Sequence, residues 1–218
     1  MKYFFFAALV VMMYSCAETE VKKQVLRDES HTISLNMDKV AKYNYENDLH
    51  SKLSYSIIKE KKGIELSNDS LQRIIKGCIE INPEIGIDSL VDFILAMTSS
   101  KLSFTFDKCD SNPELLVKSK KANCVGYAAY FNSLMNYALQ QKNFPEKYSC
   151  HHYVGKIFYD ETNANRLFNN DPFFRDHGFN RIESSVDSES DTKNISVDPG
   201  LFEYAGVKRI KTRKDTAI

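Results

Sequence analysis

Apolar residues follow several different rhythms along the chain. Tyr3 to Tyr14 is an uninterrupted apolar run, and residues 17–34 are polar with no period. Residues 35–60 are mixed: Met37 to Asn47 has helical spacing, while Leu53 to Ile58 partly alternates like a strand. Leu71, Ile74, Ile75, Cys78 and Ile79 fall on one face of a 3.6-residue period behind the capping run Ser67-Asn68-Asp69, which predicts a helix ended by Asn82-Pro83. Ile87-Asp88-Ser89 opens a second helix with Leu90, Phe93, Ile94 and Met97 on one side. Leu102 to Phe106 alternates, as a short strand or an extended link, and Asn112-Pro113 opens a short helix to about Lys118. Ser119 to Ala122 reads as a polar turn. The strongest helix runs from Val125 to about Gln140, with Ala128, Ala129, Leu134, Met135, Ala138 and Leu139 on its buried side.

Beyond Pro145 the period shortens. Tyr148–Tyr159, Gly178–Ile182, Ile195–Val197 and Val207–Ile210 read as strands, separated by an Asn-rich loop over Glu161–Arg175 and a Ser/Asp run over Ser184–Asn194. Helices first and an antiparallel sheet afterwards predict an α+β fold. One domain over residues 35–218 accommodates this pattern, with a helical N-terminal part, 35–105, and a core, 106–218. The N-terminal part either covers a cleft as a lid or completes the core.

Composition narrows the classes of partner. The chain of 218 residues has 29 Lys+Arg against 29 Asp+Glu, so no charge excess favours nucleic acid, and none is expected as a partner. A hydrophobic share of 43% supports a globular body. Twelve apolar residues span about 18 Å as a helix, short of a bilayer core of about 30 Å. With Lys2 ahead of them they read as the h-region of an export signal over residues 1–15. Losing that segment removes one charge, so the mature chain stays near neutral.

Ser15-Cys16, followed by an abruptly polar stretch, resembles the lipobox of bacterial lipoproteins, although Met13 and Tyr14 stand where that pattern prefers Leu and a small residue. The resemblance implies lipidation of Cys16, a tether over residues 16–34, and anchoring to the bacterial cell envelope, in the periplasm or at the cell surface. An ordinary cleaved signal or a short anchor is the alternative. Four cysteines remain, Cys78, Cys109, Cys124 and Cys150. Export permits disulfides. If Cys124 stays free, one bridge fits among the others; Cys109–Cys150 is the preferred pairing, with a fully reduced set equally open.

Candidate chemistry centres on three residues. Cys124 opens the strongest helix, where the positive end of the helix dipole stabilises a thiolate and free N–H groups can hold an oxyanion. His177 heads a strand and Asp198 ends another. A cysteine–histidine pair needs a third group to fix the imidazole tautomer, and an aspartate does this. Cys150-His151-His152 has metal-ligand composition, but neighbouring strand residues point to opposite faces, so these read as strand residues with one histidine toward the cleft. His31 and His50 read as solvated. Tyr127 and Tyr130, as helix residues, read as core.

Asn123-Cys124-Val-Gly-Tyr-Ala, His177-Gly-Phe179-Asn180 and Val197-Asp198-Pro199 together resemble the three motifs of the transglutaminase-like superfamily, in order, spacing and flanking residues. The likeness covers roughly residues 107–200. Asn123 stands where Asp is commoner, Lys121-Ala122 replaces a Gly-rich approach, and Phe179 stands where Trp is usual in a chain without Trp. The resemblance implies a papain-like arrangement, with the cysteine helix packed on an antiparallel sheet that carries the histidine and aspartate. It implies thiol-dependent acyl transfer or hydrolysis at peptide or amide bonds by Cys124, His177 and Asp198, as a protease, amidase or transglutaminase, with no metal or organic cofactor. The expected substrate is a peptide, a protein or a peptidoglycan peptide, and the expected state is a monomer. The alternatives are an inactive module of the same fold that binds a partner in an envelope complex, and a structural lipoprotein.

Overall fold

The computed structural model describes residues 52–141, 148–167, 175–184 and 194–213. The export signal, Cys16, the tether, His31, His50 and the Met37–Asn47 segment lie outside these residues. Among the described residues no helix is long and apolar enough to cross a membrane.

In chain order the elements are β1 (Leu53–Lys61), α1 (Asp69–Ile81), α2 (Ile87–Lys101), β2 (Ser103–Phe104), α3 (Pro113–Ser119), β3 (Lys121–Ala122), α4 (Cys124–Gln141), β4 (Tyr148–Tyr159), β5 (Thr162–Asn163), α5 (Ala164–Leu167), β6 (His177–Ser184), β7 (Ile195–Val197), α6 (Pro199–Ala205) and β8 (Lys211–Thr212). The fold is α+β, and its main sheet runs β7-β6-β4-β1-β8 with β5 as a flap on β4. All pairs in it are antiparallel except β1 with β8. Strands β2 and β3 pair separately, in parallel.

Local chemistry explains the element ends. Asn68 caps α1 by accepting from the Leu71 N–H at 3.0 Å, and Asn112 caps α3 by accepting from Glu114 at 2.9 Å, with Pro113 just inside. Helix α3 closes on Lys120 in the left-handed region, φ 55°. Asp160 and Glu161, φ 48° and 67°, are the paired left-handed residues that a two-residue turn between β4 and β5 requires.

Helix α4 lies against β4 and β6. Its buried residues Tyr130, Phe131, Leu134 and Leu139 join Cys150 and Ile182 from the sheet and Ile75, Leu90 and Ile94 from α1 and α2 in the main core. A smaller cluster joins Leu53, Tyr55, Phe179, Val207 and Ile210.

Several expectations change. The N-terminal part is not purely helical: β1 pairs with β4 along its length and with β8 on its other side, so residues 53–61 belong inside the sheet. Its alternation was obscured because burial covers only Leu53 and Tyr55, and the register slips between Ile57 and Lys59. The division at residue 105 therefore does not separate two structural parts. The last strand is Lys211–Thr212 rather than Val207–Ile210, because Val207 and Ile210 bury in the small cluster ahead of it. The stretch after α3 is a short strand, not only a turn.

All four described cysteines are free, which overturns the Cys109–Cys150 pairing. Cys109 Sγ lies 3.1 Å from the Asn123 N–H at the head of α4. Cys150 sits against Asn132 and Asn136. Those contacts are separated by nine or more residues of α4, roughly 14 Å of helix, which no disulfide spans.

Candidate active site

Asn123 starts helix α4. Its side chain accepts from the Gly126 N–H at 3.1 Å and its carbonyl accepts from Tyr127 at 2.9 Å. Cys124 is thereby set as the first helical residue, with its side chain buried. Strand β6 brings His177 to the same point. Gly178, next along, passes so close to α4 that a Cβ there would stand 2.9 Å from Val125 Cα and 3.0 Å from the Cys124 carbonyl oxygen. Only glycine allows that approach, and it also lets the Gly178 N–H reach the Cys124 sulfur.

The short strand β7 ends at Asp198, which is fully buried. Its Oδ1 accepts from the Leu201 N–H at 2.9 Å, which caps α6. Its Oδ2 accepts from His177 Nε2 at 2.6 Å and from the Tyr55 hydroxyl at 2.8 Å. With Nε2 engaged, Nδ1 is the nitrogen left to face the sulfur, and the imidazole and the Cys124 thiol lie close enough to shift each other's proton affinity. The structure thus brings all three residues singled out in the sequence into one chain of contacts, Asp198 to His177 to Cys124. The imidazole keeps 22% of its surface open, so the centre is reachable from solvent.

Electrostatics polarise this chain. Burial pushes the Cys124 thiol up, but His177 beside it and the Gly178 N–H outweigh that and bring it below the ordinary thiol value. Burial pushes His177 down, yet the Asp198 carboxylate and the Cys124 sulfur raise it well above the ordinary imidazole value. Burial raises Asp198, while His177, the Leu201 N–H and the Tyr55 hydroxyl bring it below the usual carboxylate value. All three shifts favour a thiolate–imidazolium pair backed by a carboxylate.

Tyr55 is a participant the sequence reading missed. It is fully buried on β1, and its ring stands edge-on to His177 with centroids 6.0 Å apart. Burial, then the Asp198 charge, hold its hydroxyl well above the ordinary phenol value, so it stays a donor. A tyrosine alternating with Leu53 in a short apolar run was the only signal; a buried hydroxyl needs a partner. Phe179 supports the site at one remove, packing on Tyr55 at 5.2 Å and Tyr153 at 5.9 Å.

The Cys150-His151-His152 run splits across the strand. His151 Nδ1 pairs with Glu60 at 2.7 Å on the outer side, while Cys150 and His152 are buried. Tyr127 and Tyr130 are fully buried core residues. Among the described residues no group of three or more His, Cys, Asp or Glu could hold a metal ion. No protein-family model matches the chain, and no curated protein or solved structure matches it.

Proposed function

We propose that the protein is a thiol-dependent acyl-transfer enzyme of the transglutaminase-like kind, acting on peptide or amide bonds through Cys124, His177 and Asp198. The observation that carries this reading is the Asp198–His177 hydrogen bond at 2.6 Å, with the imidazole set against the thiol at a helix start. The likeness of sequence motifs supports it, as does the packing of the cysteine helix on β6, which bears His177, and on α6, which Asp198 caps.

In this mechanism the Cys124 thiolate attacks the carbonyl carbon. The backbone N–H of Cys124, at the positive end of α4, stabilises the oxyanion. The C–N bond breaks as the His177 imidazolium gives its proton to the departing amine, or to ammonia, leaving a thioester on Cys124 and a neutral imidazole. Asp198 keeps the ring oriented throughout. Water or a second amine then attacks the thioester, His177 takes the attacking proton, and the thiolate–imidazolium pair is restored. A hydrolase and a transferase differ only in that second nucleophile. The apolar N-terminus and Cys16 support export and a lipid anchor at the bacterial envelope, and the proposed substrate is a peptide, a protein or a peptidoglycan peptide there.

The test is selective alkylation. With iodoacetamide at pH 6–7, Cys124 should react faster than Cys78 or Cys109, and His177→Ala should erase the excess. Labelling of Cys124 no faster than a free thiol would remove the enzyme and favour a binding module of the same fold.

A further inference from the structure

Along the cysteine helix lies a pocket that the mechanism above leaves unused. It opens between the end of β1 and α4 and is lined by Lys61, Lys62, Gly63, Ser111, Asn132 and His152, with Val125, the residue after the nucleophile, in its wall. Its volume, open mouth included, is about 330 Å³. The segment after β1 is fastened across α4 where the Ser133 hydroxyl donates to the Ile64 carbonyl at 2.5 Å.

Two buried polar atoms in this pocket lack partners among the described residues. Asn132 is 2% exposed and His152 3% exposed, and Asn132 Oδ1 and His152 Nε2 have no hydrogen bond. The amide cannot turn to relieve this, because Asn132 Nδ2 donates to the Cys150 carbonyl at 2.8 Å. Leaving such groups dry is costly, so a site like this is built for an occupant. Gly63 keeps the amide oxygen clear: a Cβ there would stand 2.8 Å from Asn132 Oδ1.

The charge of the lining is one-sided. It holds two exposed lysines and no acidic side chain. Burial, then the Lys61 charge, keep His152 down at about 4, so its ring is neutral near pH 7 and Nε2 can donate a hydrogen bond as readily as accept one.

We propose that this pocket is a substrate subsite for an acidic residue of a peptide, whose carboxylate meets Lys61, Lys62 and His152 Nε2 while a peptide N–H donates to Asn132 Oδ1. The inference deepens the acyl-transfer reading and rests on it for the word substrate. An acidic residue seated here runs past Val125 toward the thiol, so the site selects which amide of a peptide reaches Cys124.

The experiment separates the pocket from the chemistry. Binding of acetyl-glutamate N-methylamide and acetyl-glutamine N-methylamide is followed by NMR titration on Cys124→Ala protein, in which no acyl transfer occurs. The glutamate probe should bind about tenfold tighter, weaken as salt rises, and lose its advantage in Lys61→Gln/Lys62→Gln, whose exposed side chains can change without unfolding the protein. Equal affinities, or an advantage that survives loss of both lysines, overturn the proposal. Iodoacetamide reactivity of the unmodified protein, read alongside, reports on the thiol alone, so an inert thiol and an empty pocket are told apart.

Discussion

Removing one oxygen, with Tyr55→Phe, isolates what the buried phenol does. The substitution keeps the ring against His177 and Phe179 and deletes only the donor to Asp198 Oδ2 at 2.8 Å. Both partners are fully buried and the acceptor is charged, so the expected loss of stability at pH 7 is about 2 kcal/mol, the range for a hydrogen bond to an ionised group. The same loss must appear in the proton affinity of Asp198. Its carboxyl is held below the ordinary value of about 3.9, so its contribution to stability is present above that pH and lost as pH falls through the folded value. Without the phenol the carboxylate loses one of the donors that hold it down, so its folded value rises. The variant should therefore lose less stability on acidification and finish losing it at a higher pH, and the gap to the unsubstituted protein should close once both carboxyls are protonated. Urea unfolding at a series of pH values measures this, with an unchanged denaturant slope as the control for an intact fold. A gap below about 0.5 kcal/mol at pH 7, or one of constant size down to pH 3, refutes the assignment of Tyr55 as a donor that stabilises ionised Asp198.

Gly178→Ala should be poorly tolerated out of proportion to its size: its methyl meets Val125 Cα and the Cys124 carbonyl, so β6 must move off α4. The reading expects a stability loss of about 2 kcal/mol and at least a tenfold slower alkylation of Cys124 at pH 6.5; an unaltered alkylation rate counts against the role of that close approach. His152 carries a separate acid signature. Its folded value of about 4 lies below the unfolded value of about 6.5, so stability is complete above pH 6.5 and falls by about 3 kcal/mol as pH drops toward 4. Comparing unfolding free energies at pH 7 and 4.5 for the unsubstituted protein and His152→Gln checks this, since the variant should lack that slope.

The residues of the candidate site were legible because each sits at a local boundary the sequence marks. Asn123-Cys124 is a cap followed by an apolar helical period, His177 precedes an alternating run, and Asp198-Pro199 stops another. What could not be read depended on partners distant in sequence. Strand β1 alternates for only a few residues before its register slips, and its place inside the sheet comes from β4 and β8, more than 80 residues away. Tyr55 inherited that ambiguity. Helix α6 was missed because Asp198-Pro199-Gly200 reads equally as a turn, and its seven residues are too few for a period. The cysteine pairing failed for a related reason: spacing along the chain says nothing about which flank of α4 each sulfur faces.

The sheet order has a consequence for when the proposed thiol site is assembled. The first described strand lies between β4 and the last one, and the first strand's phenol meets a carboxylate 143 residues later. The segment behind Asp198 is tied back to α2, where Asp92 binds Lys208 at 3.1 Å and Arg209 at 2.8 Å. A partly synthesised chain that stops short of residue 198 therefore has Cys124 without the carboxylate that binds His177. The proposed site is assembled only after strands from both ends of the described residues have met in one sheet.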